Sequence, residues 1–131
     1  MSIEEFASKF IKAEDEAWQK GSFEALEKLE DPNVVYHIPP FQDTVGWESH
    51  KQYIISRSQA MSDLSQEWEY LTGDSDVFAL SYKSCGKFTG EIPGMPPPTG
   101  KEITMDHIFV CHLKDGRIDE VWAKGTVTGI G

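Results

Sequence analysis

The sequence predicts an α+β fold in which helices come first and a meander of antiparallel strands follows. Apolar residues recur at a helical spacing before Asp63 and change to an extended pattern after it. Turn sequences separate the later segments, and Asp115-Gly116 is a strong hairpin signal. Because the helices and the strands both carry apolar faces, we expect one sheet to bend around the helices and bury both.

The first predicted helix is marked at both ends and along one face. Ser2 and Glu5 form a capping box at its start, and Gly21 is a suitable C-terminal stop. Its apolar stripe follows the i, i+3, i+4, i+7 spacing of a buried helix face. The stripe comprises Ile3, Phe6, Ala7, Phe10, Ile11, Ala17 and Trp18.

The rest of the N-terminal half is predicted to hold two more helices and a short strand. Cap residues, β-branched residues and prolines mark their limits. The predicted elements are a short helix capped by Ser22 and ended by the turn at 31–33, a strand over 34–38 closed by Pro39-Pro40, and a helix over 48–60 buried through Tyr53, Ile54 and Ile55.

The C-terminal half is predicted to be extended. Gly73-Asp74 supplies a turn there. The stretch 90–100 holds four prolines, so we expect an ordered loop without a continuous ladder. The predicted strands are 66–71, 77–84, 86–91, 101–113 and 117–128.

Composition and charge narrow the class of protein. The chain has 12 basic and 22 acidic residues, and a net charge of −10 argues against nucleic acid and an anionic membrane as partners. No apolar run approaches the ~20 residues of a spanning helix. The acidic start is unlike a signal peptide, and two cysteines are too few for a disulfide framework. We expect one domain over residues 1–131 and a cytoplasmic location.

His107 is the polar residue that the strand pattern singles out. It should point to the core or to a cavity within it, because the other residues of its parity are apolar. Two interpretations stay open: a buried neutral histidine satisfied by a backbone carbonyl or a tyrosine, or a functional acid/base group. The apolar residues of this parity are Ile103, Met105, Phe109, Cys111 and Leu113.

Two other strand positions carry polar candidates. His37 lies where the chain leaves a strand, so it could line the mouth of a cleft or stand in solvent. In the last strand, Glu120 and Lys124 flank Trp122 on one parity, and they could pair or reach a cavity.

A metal site is not expected. His107 and His112 are five residues apart and face opposite sides of a regular strand. Neither Cys85 nor Cys111 has a metal-ligand spacing, and Cys111 is best interpreted as a core residue.

Six short motifs occur in a distinctive order along nearly the whole chain. They are Val35-Tyr36-His37 with Pro39, Gly46-Trp47-Glu48, Gly73-Asp74, Gly86 with Gly90, Pro97-Pro98-Thr99-Gly100-Lys101, and Asp115-Gly116-Arg117-Ile118-Asp119-Glu120-Val121-Trp122. In this order and spacing the chain resembles the SnoaL-like polyketide cyclase family, which shares a cone-shaped fold with nuclear transport factor, ketosteroid isomerase and scytalone dehydratase.

The resemblance implies a curved antiparallel sheet wrapped around three helices, a central apolar pocket and often a homodimer formed through the sheet. It also implies proton transfer at a carbon next to a carbonyl. His37 takes the place of the catalytic aspartate of ketosteroid isomerases, and His107 falls where the cyclases have pocket-facing polar residues. Residues 123–126 include no acid, whereas cyclases of the family usually have one shortly after the tryptophan of the last strand.

Two functions of different classes therefore stay open. The first is an enzyme of cyclase, isomerase or dehydratase type acting on an apolar carbonyl substrate, with His107 as principal acid/base and His37 as a second polar group. A histidine can both accept and donate the proton, so neither a metal nor an organic cofactor is expected. The alternative is a non-catalytic protein that binds an apolar ligand or serves as a dimeric interaction domain. Predicted ligand-binding residues are Trp18, Tyr53, Met105, Phe109, Glu120 and Trp122.

Two expectations concern surfaces. We expect a homodimer through the sheet, because an apolar patch is predicted on the parity opposite the pocket. The stretch 93–98 is expected to cover one end of the pocket. The patch comprises Ile108, Val110, Val121 and Val127.

Overall fold

A computed structural model describes residues 2–92 and 94–129. Within these ranges, helices precede a six-stranded curved sheet, which confirms the predicted α+β fold. The elements are α1 (Ile3–Lys20), α2 (Glu24–Leu29), β1 (Glu30–His37), β2 (Thr44–Val45), α3 (Trp47–Ala60), β3 (Met61–Asp74), β4 (Val77–Phe88), β5 (Glu102–Lys114) and β6 (Arg117–Thr128).

The sheet has the strand order β2-β1-β6-β5-β4-β3. Strands β3 to β6 form the predicted antiparallel meander. Strand β1 differs, because it pairs with β6 in parallel, with Tyr36 opposite Val121. Strands β1 and β6 are far apart in the chain, so no hairpin fixes their relative direction.

Helix α1 has the predicted limits and the predicted buried face. Ser2 Oγ accepts a hydrogen bond from the Glu5 backbone N–H at 3.1 Å, and Gly21 ends the helix at a φ of 65°. Phe10 packs edge-on against Trp68 and Phe78 and joins α1 to the sheet. The buried stripe contains one acid, Glu14.

Three boundaries of helices and strands differ from those that local sequence signals predict. Helix α2 begins after Phe23 without a side-chain cap, so Ser22 does not cap it. The turn expected at 31–33 is an irregularity within β1, where Asp31 Oδ1 accepts from the Asn33 N–H at 2.8 Å. The two strands predicted over 77–91 form one strand, β4, because Gly86 stays extended and keeps its place in the ladder.

A second, smaller core lies beneath the proline-containing loop. Met95 packs there and does not line the interior cavity between the helices and the sheet. The prediction that this loop covers one end of the pocket is therefore wrong for Met95. Pro93 lies outside the described residues. The buried members of this core are Ala60, Phe88, Ile92 and Ile103.

Strands β5 and β6 approach each other closely at Gly125. Gly125 pairs with His107, and a Cβ atom at Gly125 would lie 2.7 Å from the His107 Cα and would overlap the Asp106 carbonyl oxygen. A residue without a side chain is required here, since this distance is shorter than any relaxed carbon–carbon contact.

Among the described residues, none of the helices is both long and apolar enough to cross a bilayer.

Candidate functional site

A small cavity lies between α1, α3 and the helix-facing side of the sheet. Its volume is about 40 Å³, enough for one or a few water molecules. A carboxyl group, Glu14, and an imidazole, His50, reach it from the helices. The rest of its wall is Trp18, Tyr36, Ile38, Tyr53, Trp68, Tyr82, Met105 and Phe109.

Glu14 is placed in the core by the apolar stripe of α1. It lies one turn after Phe10 and one turn before Trp18, and it is only 3% exposed. The Trp18 Nε1–H donates to Glu14 Oε2 at 3.0 Å, and Oε1 lies 3.9 Å from His50 Nε2. The carboxyl group is therefore held between α1 and α3 and faces the cavity.

His50 and Glu30 form a buried pair behind Glu14. The His50 Nδ1 atom lies 2.9 Å from Glu30 Oε2 and 3.0 Å from Oε1. The Tyr36 hydroxyl donates to Glu30 Oε2 at 2.8 Å, and the Tyr36 ring stacks on the imidazole with 3.9 Å between centroids. These contacts replace water for groups that are all buried.

Burial and charge together set the protonation of this cluster. Burial raises the pKa of Glu14 to about 7; His50 opposes the rise and Glu30 reinforces it. Burial lowers the pKa of His50, but the charge and hydrogen bond of Glu30, with a smaller contribution from Glu14, leave it raised. Near neutral pH, a histidine whose pKa is raised thus stands beside Glu14, an acid whose pKa of about 7 lets it both hold and release a proton.

The cluster includes donor atoms of the types that bind metal ions. Ligand atoms of Glu14, Glu30 and His50 lie within 4.8 Å of one another. However, the imidazole stands between the carboxylates, with Nδ1 at Glu30 and Nε2 toward Glu14. An ion on either nitrogen would replace one of these contacts, so the geometry fits proton exchange between Glu14 and His50 better than coordination.

His107 is buried next to the cavity, on the predicted side of β5. It lies between the wall residues Met105 and Phe109 and pairs across the sheet with the wall residue Tyr82. Within residues 2–92 and 94–129, neither ring nitrogen has a hydrogen-bond partner. Burial lowers its pKa, against the opposing effect of the Pro39 carbonyl. The side chain is therefore a neutral imidazole.

His37 lies on the other side of the sheet and is partly exposed. Its Nδ1 lies 2.9 Å from Asp43 Oδ2 and its Nε2 lies 2.7 Å from Glu120 Oε2. Hydrogen bonding to Glu120 raises the pKa of His37. The ring stacks near Trp122 with 6.0 Å between centroids. The structure therefore does not bring His37 and His107 together in one cavity.

Four of the six predicted ligand-binding residues line the cavity: Trp18, Tyr53, Met105 and Phe109. Trp122 and Glu120 lie instead on the outer face with His37, which corrects their placement as pocket residues. Val121 and Ala123 take the inward positions, because the β5–β6 register shifts after His112. The predicted outer patch changes accordingly, since Val121 is buried and Val127 packs against the second core.

Glu14, Glu30 and His50 were missed from sequence because charged residues are assigned to exposed helix faces by default. One signal was present for Glu14. It falls at i+4 from Phe10 and i+7 from Ala7, inside the apolar stripe of α1.

Helices enclosed by a curved sheet around an interior cavity define the class of cone-shaped folds to which nuclear transport factor belongs. The family profile described as SnoaL-like polyketide cyclase matches residues 9–126. The chain belongs to this family.

Solved structures agree on the fold. A candidate SnoaL-like polyketide cyclase from Jannaschia sp. CCS1 is 19% identical with a TM-score of 0.79, covering 95% of this chain and 89% of that one. IdmH, a candidate polyketide cyclase from Streptomyces antibioticus, is 24% identical with a TM-score of 0.67, covering 90% of each chain. AclR, a candidate hydroxylase from Streptomyces galilaeus, is 20% identical with a TM-score of 0.71, covering 95% of this chain and 91% of that one. No curated protein sequence matches this chain.

Proposed function

We propose that this protein is a cofactor-free acid/base enzyme of the cyclase/isomerase type, acting on a small apolar carbonyl compound in the interior cavity. The observation that carries the proposal is Glu14, a buried acid with a pKa of about 7 in an aromatic wall. A general base works best when its pKa lies near the working pH. Family membership supports the same class of reaction.

The first step is removal of a proton from the carbon next to the substrate carbonyl. The Glu14 carboxylate takes the proton, and the electron pair of the C–H bond moves to form an enolate. Trp18 holds Oε2 by its hydrogen bond and leaves Oε1 for the reaction. Return of the proton from Glu14 to another carbon of a conjugated enolate gives isomerisation. Attack of the enolate carbon on a second carbonyl gives cyclisation: the π electrons of that C=O bond move to its oxygen, and the resulting alkoxide takes the proton from Glu14.

His107 is the proposed partner of the enolate oxygen. Its unpartnered imidazole N–H can donate to an oxygen placed near Met105 and Phe109. His37 lies outside this cavity, so we assign it no role in the chemistry.

Substrate entry requires the cavity to widen. About 40 Å³ is too small for any carbonyl substrate of several carbons. Four wall residues are only half-buried and could turn outward to widen the cavity: Trp18, Tyr53, Trp68 and Met105.

The test follows exchange of the α-protons of 2-tetralone in D₂O by NMR. Wild type should accelerate exchange, and the rate should rise with pH through about 7 as the Glu14 carboxylate forms. Glu14→Gln should slow exchange by ~10²–10⁴. Glu16→Gln, on the same helix and outside the cavity wall, is the matched control. Equal exchange by wild type and Glu14→Gln would overturn the proposal.

The absence of an acid from residues 123–126 favours the second candidate function, a binding protein without catalysis. Quenching of the intrinsic tryptophan fluorescence by 2-tetralone, without any exchange, would identify that function, because Trp18 and Trp68 both line the cavity.

A further inference from the structure

A second concave site lies on the surface beside the interior cavity. It is a groove of about 590 Å³ between α3 and the segment 42–45. The groove and the cavity share Tyr53, which contributes to both walls. Polar side chains dominate the groove, among them Asp43, Ser49, Gln52, Ser56 and Arg57.

Arg57 is the cation of this groove, and aromatic rings hold it in place. Its guanidinium carbon lies 3.9 Å from the centre of the Tyr53 ring and 5.5 Å from that of Phe41. Tyr53 and Arg57 are four residues apart on α3, the spacing at which helix side chains meet. Stacking of this kind positions the guanidinium without neutralising it.

Arg57 opposes, by its charge and a hydrogen bond, the rise that burial causes in the pKa of Tyr53, and it keeps further hydrogen-bonding capacity unused. Nη1 donates to Ser56 Oγ at 3.1 Å, and the buried Nε has no partner among the described residues. In the described part of the chain, no carboxylate forms a salt bridge with Arg57, although the chain has 22 acids for 12 bases. A half-buried arginine with a free, planar set of donors matches the paired oxygens of a carboxylate or phosphate.

We propose that this groove binds an oxyanion group, a carboxylate or a phosphate, carried by a ligand whose apolar part enters the interior cavity past Tyr53. Arg57 is the recognition residue, and Ser49, Gln52 and Ser56 supply neutral polar contacts. The inference rests on the proposed function only for the placement of the apolar part. The substrate class that follows from this subsite is an amphiphile with an anionic end.

One neighbouring charge opposes anion binding. The Asp43 carboxylate also lines the groove, and its Oδ2 lies 2.9 Å from His37 Nδ1. Removing this charge with Asp43→Asn should therefore strengthen the binding of an anion and leave the binding of a neutral analogue unchanged.

The experiment compares octanoate, octyl phosphate and octanol by calorimetry. Both anions should bind wild type about 10- to 100-fold more tightly than octanol. Arg57→Gln should lose that preference and keep its affinity for octanol. Lys51→Gln is the matched control, because it removes a positive charge from the same helix at Phe23, outside the groove. The tighter of the two anions identifies the natural group.

A direct readout comes from the ¹⁵N–¹H resonance of the arginine Nε. The chain has two arginines, so Arg57→Gln assigns both signals and Arg117 is an internal reference. Either anion should shift the Arg57 signal and leave the Arg117 signal in place.

The outcomes separate this inference from the proposed function. Equal affinity for octanol and both anions, with a stationary Arg57 signal, overturns the subsite and leaves the cavity function standing. Failure of all three probes to bind also overturns the subsite, while the exchange assay with Glu14→Gln decides the proposed function independently.

Discussion

At the scale of single residues, Glu14 ties the stability of the fold to pH. Its pKa is about 7 in the folded chain and 4.5 as a free side chain. Between these values the folded chain holds a proton that the unfolded chain has released. Stability from this group therefore falls as pH rises from 4.5 through 7 and stays low above that.

Glu14→Gln should remove this dependence, because its amide does not ionise and still accepts from Trp18. Between pH 5 and pH 8, wild type should lose ~3 kcal/mol more stability than the variant. Urea unfolding at the two pH values measures the difference. Glu16→Gln should behave as wild type, and parallel curves for wild type and Glu14→Gln would contradict the assigned burial.

His107 offers a second test, because its unpartnered nitrogens are a cost to the folded state. His107→Leu should raise stability by ~1 kcal/mol, since an apolar residue removes an unsatisfied polar group. The pKa of His107 is lowered in the folded chain, so below pH 6.5 the unfolded wild type binds a proton that the folded wild type does not. This difference destabilises wild type, and the stability gain of His107→Leu should therefore grow as pH falls. Thermal melts at pH 5.5 and 7.5 measure both effects.

His107→Gln and His107→Leu together separate structure from function at the same position. His107→Gln keeps a donor and an acceptor, so its melting temperature should stay near that of wild type and its amide N–H can still donate to the enolate oxygen. His107→Leu has no donor, so its ketone exchange should slow by ~10²–10³. A large fall in melting temperature for both variants would mean that His107 is hydrogen-bonded in the folded protein.

At the scale of elements, β5 and β6 depend on the close approach at Gly125. Gly125→Ala would drive a methyl group into the Asp106 carbonyl and toward the His107 Cα. We expect a loss of ~3 kcal/mol or more, with hydrogen-exchange protection lost first between these two strands. Gly116→Ala, where an added Cβ meets no atom within 4 Å but the φ is 79°, is the comparison for backbone strain alone. Equal losses at both glycines would contradict the steric argument.

Elements were predictable where the information is local. The cap at Ser2, the stop at Gly21 and the stripe between them define α1 without reference to the rest of the chain. The parallel pairing of β1 with β6 and the outward position of Trp122 depend on how distant segments dock and on a register shift near His112. Alternation within one strand carries no information about either.

The part of the candidate site that depends on local sequence pattern was predictable, and the part that depends on docking of distant segments was not. The apolar wall residues Met105 and Phe109 follow from strand parity, as does the inward direction of His107. The polar cluster does not, because Glu30 and His50 are 20 residues apart on different elements and are buried only when α3 packs on β1.

At the scale of the whole molecule, the outer face of the sheet predicts self-association. Trp122 and Ile108 are 43% and 44% exposed on this face, and Val45 on β2 is 63% exposed. Soluble proteins seldom leave such residues grouped in water. We expect a homodimer at tens of micromolar protein, the range in which interfaces of standard size hold.

Sedimentation velocity tests this prediction. Trp122→Glu should shift the protein to monomer, because it places a charge in the apolar contact, whereas Trp122→Phe should remain dimeric. A monomeric wild type at these concentrations would count against association through the sheet.

The narrow cavity also limits the rate at which a ligand can bind. The cavity has a volume of about 40 Å³, and Trp18 packs edge-on against Tyr53 with 6.2 Å between ring centroids. The closed form therefore has no room for a ligand. Association must then wait for the wall to open, so the observed rate should level off at high ligand concentration instead of rising linearly. The plateau equals the opening frequency of the wall. It should be the same for chemically different ligands, and Tyr53→Ala should raise it.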